Sequence, residues 1–200
     1  KEAVDRFIFP GAVIGMGGQN VGRIPMALTH EIVRQGVDGL TIMGCNLSIA
    51  MDILVGAGLV VRTESGTGNL ERFGATFRWR HAIESGVLQH RDYSHLGMVS
   101  RFLAGEMGLP FMPTKSMLGS DILNKHADGH DGYVLIDNPW GEHEPVALLP
   151  AARPDVAIIH AQKADELGNV TIEGFTAHDV EMVRAAKAAI VSCEEVVSSE

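Results

Sequence analysis

Strand-length apolar runs alternate with longer helical stretches along this chain, and that order leaves few architectures open. Parallel strands need a crossover, usually a helix, before the chain can re-enter the sheet, so the alternation predicts a mostly parallel sheet with flanking helices. Ala12–Met16 reads as the first strand, ending in glycines. Pro25 then opens a helix, where its missing N–H costs nothing, and that helix runs to about Gln35 before Gly36. Leu40–Met43, Leu59–Thr63 and Val87–Gln89 read as strands, with helices over Ser48–Val55 and Leu70–Glu84 between them. Ser94–Met107 has helical spacing that puts Leu96, Val99, Leu103 and Met107 on one apolar face. Tyr133–Ile136 and Val146–Leu149 flank the turn signal Asn138-Pro139-Trp140-Gly141, a hairpin or loop. Asp155–His160 reads as a doubly buried strand, Val170–Ile172 as another, Asp179–Ala188 as a helix and Ala189–Cys193 as the last strand. With no internal repeat or low-complexity linker, the expectation is one α/β domain over residues 1–200.

Charge narrows the function classes. The formal net charge is −9, and basic residues such as Arg23, Arg34, Arg62 and Arg101 are scattered singly. Nucleic-acid binding needs clustered Lys and Arg, so it is not expected. An anionic ligand would be held by local backbone N–H groups and a few arginines. Cys45 and Cys193 lack paired or metal-ligand spacing, which suits a reducing compartment. No apolar run approaches the ~20 residues of a membrane span. The amphipathic opening Lys1–Ile8 is not a signal peptide, so no membrane association and a cytoplasmic address are expected.

The turn Gly15-Met16-Gly17-Gly18-Gln19-Asn20-Val21-Gly22-Arg23 lies between a strand and a helix, where backbone N–H groups can meet a ligand. A dinucleotide fingerprint would need glycine at Asn20, and a nucleoside-triphosphate loop would need Lys then Ser or Thr in place of Arg23-Ile24. A tight turn without a ligand and a ligand-facing turn of another family remain, and the second is preferred. His126, Asp128, His130 and Asp131, with His143 nearby, lack metal-ligand spacing and read as a solvated loop, so no metal is expected. His160 ends a buried strand and either faces a site or satisfies a core hydrogen bond, the latter being the safer reading.

Gly17-Gly18 followed by Arg23-Ile24-Pro25-Met26-Ala27 resembles the start of alpha subunits of family I coenzyme A transferases of the glutaconate type. Asp92-Tyr93-Ser94, Gly108-Leu109-Pro110-Phe111-Met112-Pro113, Ile136-Asp137-Asn138-Pro139, Asp155 to Gln162 and Ser192-Cys193-Glu194-Glu195 resemble that family in the same order. The resemblance implies the CoA-transferase (NagB/RpiA-like) fold and a chain that continues beyond Glu200. It also implies transfer of CoA from an acyl-CoA to a carboxylic acid through a glutamyl-CoA intermediate. The nucleophilic glutamate would lie on a partner beta subunit, in a heterodimer or heterotetramer, with the CoA thioester as substrate and no tightly bound cofactor.

By the same resemblance Ser65-Gly66 corresponds to a Ser-Gly after the third strand whose serine lines the active site. Ser65 is read as substrate-contacting, against the alternative of a turn residue beside Gly66, and Glu64 as a neighbour rather than the nucleophile. Gly17, Gly18, Gln19, Asn20, Arg23, Ser65 and Gly66 form the expected substrate-binding and oxyanion set, from fixed hydroxyl and N–H positions. Two rivals stand beside this reading. Similar alpha subunits serve a ring-opening hydrolase of steroid degradation, which would need an acid/base carboxylate near Asp92 to His95, where this chain has no glutamate. A non-catalytic binder of CoA esters or sugar phosphates is the other.

Overall fold

The computed structural model describes residues 1–125, 132–141 and 144–199. The expected alternation opens the chain: α1 (Glu2–Phe7), β1 (Val13–Met16), α2 (Met26–Gln35), β2 (Leu40–Leu47), α3 (Ile49–Gly56), β3 (Val60–Gly68), α4 (Phe77–Glu84), β4 (Gln89–Asp92) and α5 (His95–Glu106). An antiparallel insert follows, with β5 (Phe111–Thr114), α6 (Asp121–Lys125), β6 (Val134–Asp137) and β7 (Pro145–Pro150). Then β8 (Val156–Asp165), β9 (Val170–Thr171), α7 (Asp179–Ala185) and β10 (Ala188–Val197) return to the main sheet.

The main sheet runs β10-β8-β1-β2-β3-β4, with these neighbours parallel and β9 antiparallel to β8. Side chains alternate across it. Ile14 and Ile42 point to a core shared with Ile32, Met51 and Leu54 of α2 and α3. Met43 and Ile159 point to a second core with Met98 and Phe102 of α5, Met182 of α7 and Leu149 of β7. The mostly parallel sheet with flanking helices is therefore as expected.

Several boundaries differ. The strands outrun their apolar segments: β2 and β3 stay paired to Asn46↔Thr67 and Leu47↔Gly68, because ladder bonds continue where hydropathy has turned polar. The helix expected over Leu70–Glu84 is split into a 3-10 turn, Glu71–Phe73, and α4, with Gly74 at φ 103 between them. The fourth strand forms at Gln89–Asp92 rather than Val87–Gln89, and α7 stops at Ala185. Most instructive is α5. Its buried face holds Met98, Arg101, Phe102 and Ala104, while Leu96 and Met107 are 59% and 61% exposed. Arg101 is drawn inward by Glu64 of β3, 2.8 Å away, an ion pair that apolar spacing cannot register.

The insert forms the three-stranded sheet β5-β7-β6. One of its faces is buried through Ala147 and Leu149. The register puts Phe111, Pro113, Val134, Ile136, Val146 and Leu148 together on the other, of which Phe111, Val134 and Ile136 are exposed. The histidine loop with His126, Asp128, His130, Asp131 and His143 lies outside the described residues. No helix among the described residues is long and apolar enough to cross a membrane.

Candidate functional site

From β1 the chain builds outward in two directions, through β2, β3 and β4 on one side and β8 and β10 on the other. In open α/β sheets the ligand crevice lies outside the carboxyl ends of the strands at such a reversal. The glycine-rich turn leaves β1 there. Gly17 N–H donates to Ile158 O at 2.9 Å, and Gly18 N–H to Asp179 Oδ1 at 3.0 Å. Gln19 and Gly22 exchange backbone hydrogen bonds of 3.0 and 2.8 Å, leaving Asn20 (φ 51) and Val21 as the tip. Gly18 has φ 88, and a Cβ there would stand 2.7 Å from Arg23 O, so the turn requires glycine. The N–H groups of Gly17 and Gly18, expected to face a ligand, are thus already bonded within the chain. The expected backbone cradle is corrected to a braced turn.

Arg23 is part of the brace. Its guanidinium donates to Asp179 Oδ2 at 2.6 Å, His160 O at 3.3 Å and Phe175 O at 2.7 Å, with the side chain 11% exposed. Arg23 was expected among the substrate-binding residues, and these bonds suit it to placing the turn. His178, next to Asp179, is buried and stacks on Phe102 with centroids 5.6 Å apart. Its Nε2 lies 3.1 Å from Met16 O and 3.4 Å from Cys45 N. Burial pushes its pKa down, so the ring is held neutral.

A row of neutral polar side chains crosses the carboxyl ends of β1, β2 and β3. Asn46 donates to Asn20 Oδ1, and Asn20 to Glu71 Oε1. Thr67 Oγ1 donates to Asn46 Oδ1 at 3.3 Å, and Asn69 Nδ2 to Thr67 Oγ1 at 2.9 Å. Sequence reasoning found Asn20 and missed Asn46, Thr67 and Asn69. The available signal was the polar run after each apolar strand, which continues the two-residue strand period.

Ser65 does not follow the third strand but lies within it, paired with Gly44 and Asp92 on either side. This removes the turn-residue alternative. Ser65 is fully buried, its Oγ without a hydrogen-bond partner among the described residues. It shares a face with Thr67 and sits about 6.6 Å deeper, two residues of strand rise. Gly66 points the other way, where a Cβ would stand 2.4 Å from His95 Cδ2. His95, the first residue of α5, therefore packs directly over it.

Glu64 is 3% exposed and ion-paired with Arg62 and Arg101. Burial alone would raise its pKa, but the charges of Arg101 and Arg62 outweigh it and hold the carboxyl below its ordinary range. The Cys45 thiol is pushed up to about 12 by burial, aided by the charges of Asp179 and Glu181. A thiol so protonated is no nucleophile. Beside the glycine turn an open hollow of about 590 Å³ is walled by Val21, Ile24, Met26 and Ile49, with His160, Gln162 and Glu194 opposite.

Known proteins share this fold. The coenzyme A transferase profile matches residues 1–200. The chain belongs to the coenzyme A transferase family. It is 36% identical to one of the named subunits of the glutaconate CoA-transferase of Acidaminococcus fermentans, covering 100% of this chain and 66% of that one. The crystal structure of that transferase superposes with a TM-score of 0.91 at 35% identity, over 99% of this chain and 66% of the other. The corresponding subunit of the 3-oxoadipate CoA-transferase of Pseudomonas knackmussii is 35% identical over 98% of this chain and 69% of its own. A cholesterol ring-cleaving hydrolase subunit of Rhodococcus jostii is 30% identical, over 95% and 65%. The chain spans about two thirds of the length of these coenzyme A transferase family relatives.

Proposed function

We propose that this chain is the alpha part of a CoA transferase that moves CoA between an acyl-CoA and a carboxylic acid, with the nucleophilic glutamate on a beta subunit. The observation that carries this reading is the state of Glu64, the glutamate beside Ser65. Locked between Arg62 and Arg101 and withdrawn from solvent, it is a structural ion pair and no attacking group. The carboxyl end of the sheet instead offers the amides of Asn20 and Asn46, which can orient a carboxylate without titrating.

In this reading the partner's carboxylate attacks the thioester carbonyl, expelling CoA thiolate and leaving a mixed anhydride. The thiolate attacks the anhydride at the glutamyl carbonyl, releasing the first acid as carboxylate and forming glutamyl-CoA. An incoming carboxylate repeats both steps in reverse, so each bond formed is matched by one broken, and no proton is gained or lost. This is covalent catalysis. Asn20 and Asn46 hold the acid through the one amide N–H that each has left, and Ser65 lies deeper on the face of β3. Gly17, Gly18, Gln19 and Gly66 shape the backbone, while Arg23 places the turn. The reading takes the CoA thioester as substrate with no bound cofactor, a heterodimer or dimer of heterodimers, and a cytoplasmic address, consistent with Cys45 and Cys193 being free. Against the ring-opening alternative, the stretch from Asp92 to His95, leading into α5, holds no glutamate.

The test is reconstitution with a beta subunit, followed by an assay of CoA exchange. Ser65→Ala should lower turnover on the order of 10–10³-fold, the upper end being a lost oxyanion donor. The partner's glutamyl-CoA adduct should still form, more slowly. Glu64→Gln should leave the adduct intact, counted by mass spectrometry per folded molecule. Loss of the adduct in Glu64→Gln with a silent Ser65→Ala would put the nucleophile on this chain.

A further inference from the structure

The hollow beside the glycine turn opens next to the proposed acid site: Val21 adjoins Asn20 at the turn tip, and Ile49 begins α3 just after Asn46 of β2. One side is hydrocarbon, from Val21, Ile24, Met26 and Ile49, with Val21 46% and Ile49 41% exposed toward solvent. The opposite side is polar but not cationic. Arg23 borders it, yet its guanidinium is held by Asp179 and by two carbonyl oxygens. His160 Nδ1 lies 2.9 Å from Ser192 Oγ, and Ser192 donates its hydroxyl proton to Ile159 O at 3.3 Å. The ring is thus held by Ser192 on one side, and its Nε2 lies 3.7 Å from Glu194 Oε1. Glu194 balances a charged ring, and beside a neutral one its charge stands alone. Gln162 adds a neutral amide whose Oε1 accepts from Glu173 N–H.

Counting Asp179 with the Arg23 it pairs, the charged groups at the hollow among the described residues (Arg23, Asp179, Glu194 and His160) sum to zero or minus one. A second carboxylate entering here would leave water to meet only an arginine already paired with Asp179, and would face Glu194. Resting on the transferase reading above, we infer that the hollow receives the chain of the transferred acid and selects monocarboxylates with an uncharged, largely apolar chain over dicarboxylates. Ile49 and Met26 supply the attraction, and Glu194 supplies the repulsion that discriminates. Gln162 and His160 can still accept a neutral hydroxyl or keto group on the chain.

The experiment uses the complex with its beta subunit, offered acids matched in chain length: butyrate and hexanoate against succinate and adipate. Wild type should favour the monocarboxylates in kcat/KM on the order of 10²-fold, a difference that a shaped pocket with one unmatched charge can supply. Glu194→Lys, on an exposed side chain, should raise kcat/KM for adipate relative to hexanoate about tenfold or more. Ile49→Asp should lower hexanoate. A wild type that prefers adipate, or a Glu194→Lys complex with an unchanged hexanoate-to-adipate ratio, overturns the inference. Should no acid exchange CoA, the transferase reading falls. Calorimetric titration of the complex then decides the hollow by itself: hexanoate binding more tightly than adipate sustains it, and equal or weaker binding overturns it.

Discussion

Asp179 accepts from the Gly18 N–H, 161 residues away in sequence, and from Arg23, so one carboxylate fixes both ends of the glycine turn. Removing either partner of a buried pair leaves the other uncompensated, and Asp179→Ala should cost about 3–5 kcal/mol. Where the turn bears equally on bound substrate and transition state, Arg23→Ala should raise the KM of the reconstituted enzyme more than it lowers kcat. A double-mutant cycle should return a coupling of about 0.5–3 kcal/mol, and strict additivity in urea unfolding would deny the brace. Glu64 makes a pH-dependent counterpart. Its folded pKa is lowered, so its stabilisation is complete above the unfolded value of ~4.3 and is lost as pH falls from there through the folded value. Glu64→Gln should therefore be about 3–5 kcal/mol less stable than wild type at pH 6, with the gap closing as pH falls below about 4. Unfolding midpoints across that range check it. At this scale the sequence was read in part. Arg23, Asn20 and Ser65 stand out by their neighbours, whereas Asp179 and Asn46 acquire meaning only through pairings that skip tens of residues.

At the scale of elements, α5 shows what periodicity can and cannot give. Its existence and its Ser94 cap, which accepts from Gly97 N at 2.9 Å, follow from local chemistry. Its orientation does not, because an inward arginine answers a glutamate on another strand. Gly105 of this helix makes a sharp prediction. Alanine is the better helix former by about 1 kcal/mol, yet a Cβ at Gly105 would stand 2.1 Å from Ala152 O and 2.9 Å from Ala185 Cβ. Backbone cannot easily yield, so Gly105→Ala should destabilise by about 1–3 kcal/mol, against the sign of propensity. A raised thermal midpoint would show that α5 sits farther from the β7–β8 connection than these distances require. The parallel strands were legible because they are buried on both faces and read as continuous apolar runs, as at Val156–Ile159. Their polar extensions were not, since register rather than hydropathy sustains them. The short strand β5, with prolines on either side of Met112, carried no two-residue signal strong enough to read.

For the molecule as a whole, the outer face of the small sheet is the conspicuous surface. Phe111, Val134 and Ile136 leave contiguous hydrocarbon in water, which favours association. The chain purified alone should self-associate with rising concentration in sedimentation velocity, and Val134→Lys with Ile136→Lys should return it to a monomer. The strand order carries a consequence of another kind, in the time taken to make the protein. Synthesis delivers the amino-terminal half first, and β1 to β4 can pair among themselves as they emerge. The other edge of β1 must wait for Val156 and its neighbours, and the glycine turn waits longer still, for residue 179. Until then the nascent chain carries an open strand edge and an unbraced turn, so ribosome-bound chains ending before β8 should be far more sensitive to proteolysis near Gly18 than those released past β10.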